Sequence, residues 1–220
     1  MRQAIGDVTG LTVLDMGCGS GMYTRIFANE GAARVVGIDS SDGMLATARE
    51  TENPDNVEYL KRDAAHPDPG GDAVLDGRFD LVSAVYVICY AATKDELTGF
   101  FTTARRALSP ARGRFVAMTL NPDYHRDPAY YSRYGLTLTP SHEGEGAPVR
   151  LDVSVPGIEI HVNLFYWSRT TYEDCAARAG FGETAWTAVT VDEQGLSRLG
   201  PDYWAPYLAV PPIIVITATA

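Results

Sequence analysis

The sequence predicts an α/β fold built on a parallel sheet, and three observations carry that reading. Short apolar runs alternate with helical stretches through the first half of the chain. Residues 79–87 read as one apolar strand, and a glycine-rich turn separates the first run from the first helix. Alternating strand and helix implies parallel strands joined by right-handed crossovers. A continuous apolar strand needs cover on both faces, which such a sheet provides.

Taken in order, residues 11–16 are a short buried strand that ends in glycines. A helix over 22–29 places Met22, Ile26 and Phe27 at helical spacing and stops at Gly31. Residues 34–39 form the second strand, and the Ser40-Ser41-Asp42 cap opens a helix over 43–50. Residues 57–61 are the third strand, 64–77 a Pro-, Gly- and Asp-rich loop, and 79–87 the fourth strand. Thr93 with Glu96 is a capping box for a helix that runs to Leu108 and stops before Pro110. Residues 114–120 are the fifth strand. The pattern then changes. Residues 121–135 are rich in tyrosine, and three strands follow over 136–139, 150–155 and 158–165, the last two joined as a hairpin at Pro156-Gly157. A helix over 170–179, capped by Thr170 with Glu173, leads to final strands over 183–191 and 212–217, with a short helix opened by Pro201 between them. The whole of 1–220 reads as a single domain, with 121–167 as a β-rich insertion that caps a substrate site after the fifth strand.

Composition narrows the partners. The 220 residues are 45% hydrophobic and 21% charged, which is ordinary for a globular chain. No apolar run approaches the roughly 20 residues that span a membrane, and no signal-peptide pattern opens the sequence, so the expected location is the cytoplasm. A net charge of −10 opposes a phosphate-rich partner and favours a small molecule over nucleic acid. Cys18, Cys89 and Cys175 have unrelated spacings; they read as buried free thiols and form neither a disulfide framework nor a metal site.

The chemistry concentrates in Asp15-Met16-Gly17-Cys18-Gly19-Ser20-Gly21. Glycines at 17, 19 and 21 let a ligand approach the backbone closely. Asp15 before them would repel a pyrophosphate but attract the ammonium of a zwitterionic amino-acid ligand. Asp39 ends the second strand, where a carboxylate can accept both hydroxyls of a ribose. Asp63-Ala64 follows the third strand, where Asp63 can accept from an adenine amino group. Simpler uses exist for each: Asp15 as a cap on nearby amides, Asp39 as a helix cap, Met44 as core packing, Asp63 as a loop carboxylate, Cys18 as filler in the turn.

The segments VLDMGCGSG, VVGIDSS, RDAA and FDLVSA resemble, in order and spacing, the cofactor motifs of class I (Rossmann-like) S-adenosylmethionine-dependent methyltransferases. The match covers about residues 11–120. It implies a three-layer α/β sandwich with a mostly parallel, doubly wound, seven-stranded sheet and an antiparallel final strand. It also implies that Gly17, Gly19 and Gly21 pass the methionine moiety, Asp39 with Ser40 holds the ribose, Met44 packs by the adenine, and Asp63 with Ala64 reads its amino group. Ala84 and Val85 would flank the reactive sulfonium. S-adenosylhomocysteine would be the product.

The acceptor is less legible. The fourth-strand exit reads Ala84-Val85-Tyr86-Val87 and lacks the Asn/Asp-Pro-Pro-Tyr/Phe tetrad typical of enzymes that methylate exocyclic amino groups. Tyr124, Tyr130, Tyr131, Tyr134, Tyr166 and Trp167 make the insertion aromatic, which suits a planar acceptor; packing at the sheet edge and a homodimer contact are its other uses. The expected substrate contacts are Tyr86, Tyr90, Tyr124, Tyr130, Tyr134 and Tyr166. Candidates for a base are His125, His142 and Tyr86, with Glu143 and Tyr90 beside them; His66 and His161 read as structural or solvated. The second half looks similar to small-molecule methyltransferases of bacterial secondary metabolism, of the toxoflavin type, including those of antibiotic biosynthesis. The helical segment with paired Tyr-Asp that commonly covers the cofactor in such enzymes has no counterpart in the residues before the first strand. The expected activity is methyl transfer to a nitrogen or oxygen of a small aromatic or heteroaromatic metabolite. A dinucleotide-dependent oxidoreductase and a cofactor-binding partner protein without activity are the competing readings.

Overall fold

A computed structural model describes residues 2–110 and 113–219. Seven strands form one sheet in the order β3-β2-β1-β4-β5-β10-β9. They are β1 (Thr12–Met16), β2 (Arg34–Asp39), β3 (Val57–Lys61), β4 (Leu81–Val85), β5 (Arg114–Leu120), β9 (Thr184–Ala188) and β10 (Ile213–Thr219). β10 lies antiparallel to both neighbours, β5 and β9, while β3, β2, β1, β4 and β5 pair in parallel. The chain is thus wound outward in both directions from β1, with the final strand reversed, as the sequence implied.

The sheet is covered on both faces because its strands alternate between two apolar cores. Leu14, Val36, Val82 and Phe115 meet Leu97, Phe101 and Ala104 of α4 (Lys94–Ala107) and Tyr172 and Ala176 of α5 (Arg169–Arg178). Val13, Val35, Leu81 and Val116 face Ile5 of α1 (Arg2–Ile5) and Phe27 of α2 (Met22–Asn29). A third helix, α3 (Asp42–Glu50), buries Leu45 and Ala48 against Tyr59 and Cys18. No helix among the described residues is long and apolar enough to cross a membrane.

Residues after β5 build the second sheet. It is three antiparallel strands in the order β6 (Leu136–Pro140), β7 (Pro148–Val155) and β8 (Ile158–Phe165), with β7 and β8 closed by the Pro156-Gly157 turn. Its core of Leu138, Val149, Leu164, Tyr124 and Tyr131 joins Leu120 and Cys89, so the small sheet is seated against the ends of β4 and β5.

Several boundaries differ from the sequence pattern, each for a local reason. The fourth strand ends at Val85 because Tyr86 turns the chain into a left-handed conformation (φ 56°), and a single 3-10 turn over Ile88–Tyr90 follows. At its other end Phe79 makes only an isolated bridge, to Leu108. The N-cap of α5 is Ser168, whose hydroxyl accepts from the Thr171 amide, rather than Thr170; Glu173 is occupied by the Trp186 indole N–H at 2.9 Å. Two helices, α6 (Glu193–Leu199) and α7 (Pro201–Ala209), stand between β9 and β10 where one was expected. Asp192 caps α6 through the Gly195 amide at 2.7 Å.

The capping box of α4 forms as its spacing predicts: the Thr93 hydroxyl accepts from the Glu96 amide, and Glu96 returns to the Thr93 amide. Thr93→Ala is expected to cost about 1 kcal/mol, read as a lower urea midpoint with an unchanged m-value. A change in m would mean that the helix end does more than cap.

Candidate functional site

The parallel pairing of β1 with β2 sets Asp15 beside Gly37 and Met16 beside Ile38, so both strands deliver an aspartate to the same sheet edge. The turn between β1 and α2 is held there by backbone bonds: the Gly17 and Cys18 amides donate to the Ile38 carbonyl at 2.8 and 2.9 Å. The Gly19 amide donates to Asp39 Oδ2 at 2.8 Å, and the Ser41 amide to Oδ1 at 2.9 Å. Gly17 and Gly19 both have positive φ, 70° and 55°. A Cβ at Gly17 would lie 2.3 Å from Val87 Cγ2, whereas a Cβ at Gly19 would meet nothing within 4 Å. The first glycine is thus required by packing, and the second leaves open space for a ligand against the backbone.

That open space is a cleft of about 390 Å³. The structure brings Gly17, Gly19, Asp39, Ser40, Met44, Asp63, Ala64, Tyr86 and Tyr90 to its wall. Ile38, Arg62, Val87 and Phe100 line it as well; they were not singled out from the sequence, because each reads as an ordinary strand, loop or helix residue. Asp63 is braced by the Ala65 amide and the His66 imidazole, both at 3.0 Å. The loop that carries it can approach α4 only because residue 99 is glycine: a Cβ there would fall 1.8 Å from the Ala65 carbonyl oxygen. Thr103 of α4 then donates to the Ala64 carbonyl at 2.8 Å.

Four other expected cofactor residues lie behind this wall. Gly21 caps α2 at φ 79°, and Ala84 and Val85 are buried in β4 just before the Tyr86 turn. Asp15 is buried beneath the glycine turn, where its carboxylate accepts from Thr24 Oγ1 at 2.6 Å. Burial pushes the Asp15 carboxyl up to about 6, opposed by the Thr24 hydrogen bonds and reinforced by the charge of Asp39. Burial, with the Asp15 and Asp39 charges adding, also pushes the Cys18 thiol far up, so it is no thiolate nucleophile.

A second cavity, of about 350 Å³, opens beside the first under the small sheet. Its walls are Leu136 and Leu138 of β6, Leu151 and Val153 of β7, and Ile160, Val162 and Leu164 of β8. Leu120, Pro212 and Ile213 form the side toward the main sheet, and Tyr207 of α7 closes another. Tyr86, Cys89 and Tyr90 complete the lining, and Tyr86 and Tyr90 belong to both cavities. Tyr86 is the one non-glycine residue with positive φ among those described, and such strain is typically retained where surrounding structure holds it for a purpose. Desolvation pushes the Tyr86 hydroxyl upward, with the Tyr23 and Tyr207 phenols adding to the shift.

The remaining tyrosines of the insertion are placed elsewhere. Tyr124 and Tyr131 are buried in the core of the small sheet. Tyr130 donates to the Pro206 carbonyl, Tyr131 to that of Val210 and Tyr134 to that of Tyr203, and Tyr134 also stacks on Trp204. These hydroxyls latch α7, whose internal Pro206 leaves the backbone ladder incomplete. Tyr166 and His142 line a separate depression with Arg126 and Pro140. His125 stacks on Tyr130 with ring centroids 3.9 Å apart and accepts from the Asp127 amide. Neither His125 nor His142 lines the cleft or the apolar chamber. The carbonyls of Tyr203, Pro206 and Val210 are where these tyrosines find their partners, a pairing that no local sequence pattern signals.

Comparison with known proteins follows the same division. Residues 13–111 match the family described as "Methyltransferase domain". Over 114 residues the chain is 37% identical to the 18S rRNA (guanine(1575)-N(7))-methyltransferase of Saccharomyces cerevisiae, covering 48% of this chain and 38% of that protein. Over 178 residues it is 24% identical to the N-demethylindolmycin N-methyltransferase of Streptomyces griseus, covering 78% of this chain and 69% of that one. The chain therefore spans from about two fifths to about two thirds of the length of these relatives. A solved S-adenosylmethionine-dependent methyltransferase from Mesorhizobium loti superposes with a TM-score of 0.68 over 99% of this chain and 94% of that one, at 22% identity, a likeness of fold. Residues 13–111 are thus similar to a methyltransferase domain, and the fold is that of solved S-adenosylmethionine-dependent methyltransferases.

Two expectations test this geometry. Replacing Tyr86 by Gly should leave the protein about 1 kcal/mol more stable than replacing it by Ala, because only Gly relaxes φ 56° at no steric cost; chemical denaturation of the two variants measures it. For Asp15, whose folded pKa of about 6 lies above its usual 3.8, both folded and unfolded chains are protonated below about pH 4. Between that pH and about 6 the unfolded chain releases its proton first, so the wild type loses stability as pH rises, and the loss is complete above 6. Asp15→Asn, which keeps an acceptor for Thr24, should thus gain about 3 kcal/mol at pH 7.5 and little near pH 4. A gain that is independent of pH in thermal melts would contradict the assignment.

Proposed function

We propose that the protein transfers a methyl group from S-adenosylmethionine to a nitrogen or oxygen of a small metabolite, the cofactor lying in the cleft and the acceptor in the chamber under the insertion. The observation that carries this reading is that the two cavities share Tyr86 and Tyr90. A ligand in one is therefore adjacent to a ligand in the other, as direct displacement requires. In the cleft, the open face of Gly19 accommodates the methionine part and Asp39 with Ser40 the ribose. Met44, Asp63 and Ala64 surround the base. Asp39 already holds two backbone amides, which fixes its carboxylate in place before a ligand arrives. Asp15 acts from beneath the turn: its negative charge favours an ammonium above it, and a cation there draws its pKa down, so binding should weaken below about pH 6.

The bound cofactor supplies an electrophilic methyl group. The chain contributes alignment, which by itself can account for roughly 7–11 kcal/mol of a displacement barrier, and an apolar chamber that excludes water from the reacting atoms. A small acceptor is supported by the chamber's size, within the range of small-molecule sites. The similarity to the Streptomyces griseus N-methyltransferase supports it too, being too long to be confined to residues 13–111. A nucleic-acid acceptor is disfavoured by the net charge of −10, although the relative from yeast is named for action on rRNA.

Calorimetry with S-adenosylhomocysteine tests the reading. Binding in the micromolar range is expected, with Asp39→Ala weakening it at least tenfold; a wild-type protein that gives no heat with either S-adenosylmethionine or its product would refute it.

A further inference from the structure

The chamber is lined by side chains that cannot take a proton from an acceptor. Among the described residues on its wall there is no carboxylate, imidazole or amine. Alternate residues of the small sheet explain why: Leu151 and Val153 face inward, while Asp152 between them turns outward to Arg150 and His161. The other histidines are engaged elsewhere, His66 with Asp63, His125 with Tyr130, and His142 beside Arg126. The heteroatoms that the wall's side chains do present are the hydroxyls of Tyr86, Tyr90 and Tyr207 and the Cys89 thiol. Desolvation pushes the pKa of all four upward and so suppresses their ionisation, and they meet an acceptor as neutral donors and not as bases.

We propose that the acceptor is an uncharged, flat, apolar compound whose nucleophile is a nitrogen already carrying a free lone pair at neutral pH, such as a ring nitrogen of a fused heteroaromatic system, seated between the leucine and valine rows of the small sheet and the Tyr86–Tyr90 junction. This rests on the methyl-transfer reading. A phenol or alcohol must lose its proton as it reacts and would need a base, whereas a charged acceptor would be buried without a partner at high cost. The nitrogen lone pair forms the new N–C bond as the methyl–sulfur bond breaks. The bonding pair of that bond stays on sulfur, giving the neutral thioether S-adenosylhomocysteine. A pyridine-type nitrogen becomes an N-methyl cation, and an N–H nitrogen afterwards loses its proton to solvent. No step asks the protein for a base.

Three bicyclic probes of similar shape test this: isoquinoline, 2-naphthol and 2-naphthoate. With the protein saturated by S-adenosylhomocysteine, isoquinoline should bind at least tenfold more tightly than 2-naphthoate. With S-adenosylmethionine it should be methylated at a rate constant within twofold from pH 7 to 9, while 2-naphthol reacts at least tenfold more slowly at pH 7 and gains about tenfold per pH unit. Ile160→Glu, placed at the half-exposed mouth of the chamber, should weaken isoquinoline binding at least tenfold with S-adenosylhomocysteine affinity unchanged within twofold, and Ile160→Leu should retain both. Equal binding of naphthoate, pH-independent transfer to naphthol at the isoquinoline rate, or no isoquinoline binding to the product-loaded protein overturns the proposal and leaves the cofactor reading standing. Failure of S-adenosylhomocysteine to bind removes both. If Ile160→Glu changes the sedimentation coefficient but not isoquinoline binding, the mouth is a contact between two copies and the proposal fails.

Discussion

The hydrogen bond from the Gly19 amide to Asp39 joins the exit of β1 to the exit of β2, and the rest of the site is arranged around it. It can form only if the turn after β1 takes a left-handed path, which glycine supplies without steric cost, and only if β1 and β2 run parallel and end level. A carboxylate that accepts two backbone amides is held in one orientation at the cleft wall. Beneath it, Asp15 is buried against the Thr24 hydroxyl, close enough to Asp39 for the two charges to oppose each other. Burial and that neighbouring charge hold the Asp15 carboxyl above its usual range, a perturbation of the kind that clusters at functional sites.

The small sheet solves a different problem. A cavity beside the cleft needs a wall that is apolar inward and polar outward, and an antiparallel hairpin with period-two alternation provides both faces from one stretch of chain. The wall is then fixed from behind. Tyrosine hydroxyls of the segment before β6 bind carbonyls of α7, and α7 returns Tyr207 to the chamber. The aromatic richness of the insertion is spent largely on this internal docking. Aliphatic side chains make up most of the cavity wall, and the tyrosines of residues 124–134 do not reach it.

Tyr86 connects the two halves. It ends β4 in a conformation unfavourable for any side chain, its ring lines both cavities, and its backbone amide remains tied to the Met118 carbonyl at 2.8 Å. That tie holds the strained residue in register with β5, at the boundary that the two cavities share.

The winding of the sheet, the capping box at Thr93 and the gathering of Asp39, Asp63 and the first two glycines at one sheet edge were all legible in the sequence. Each of these depends on neighbours close along the chain or on motifs at strand ends, where backbone geometry dictates the residue type. Asp39, Asp63 and the glycines were legible because a parallel sheet brings every strand exit to one edge. Residues whose partners are remote along the chain took their use from packing instead. Tyr130 and Tyr134 find theirs some seventy residues later, at |i−j| of 76 and 69, and Glu173 is claimed by Trp186 rather than by a helix cap. Packing assigns such side chains to a cavity or to a core, and a tyrosine satisfied by a distant carbonyl reads in the sequence the same as one that faces a ligand.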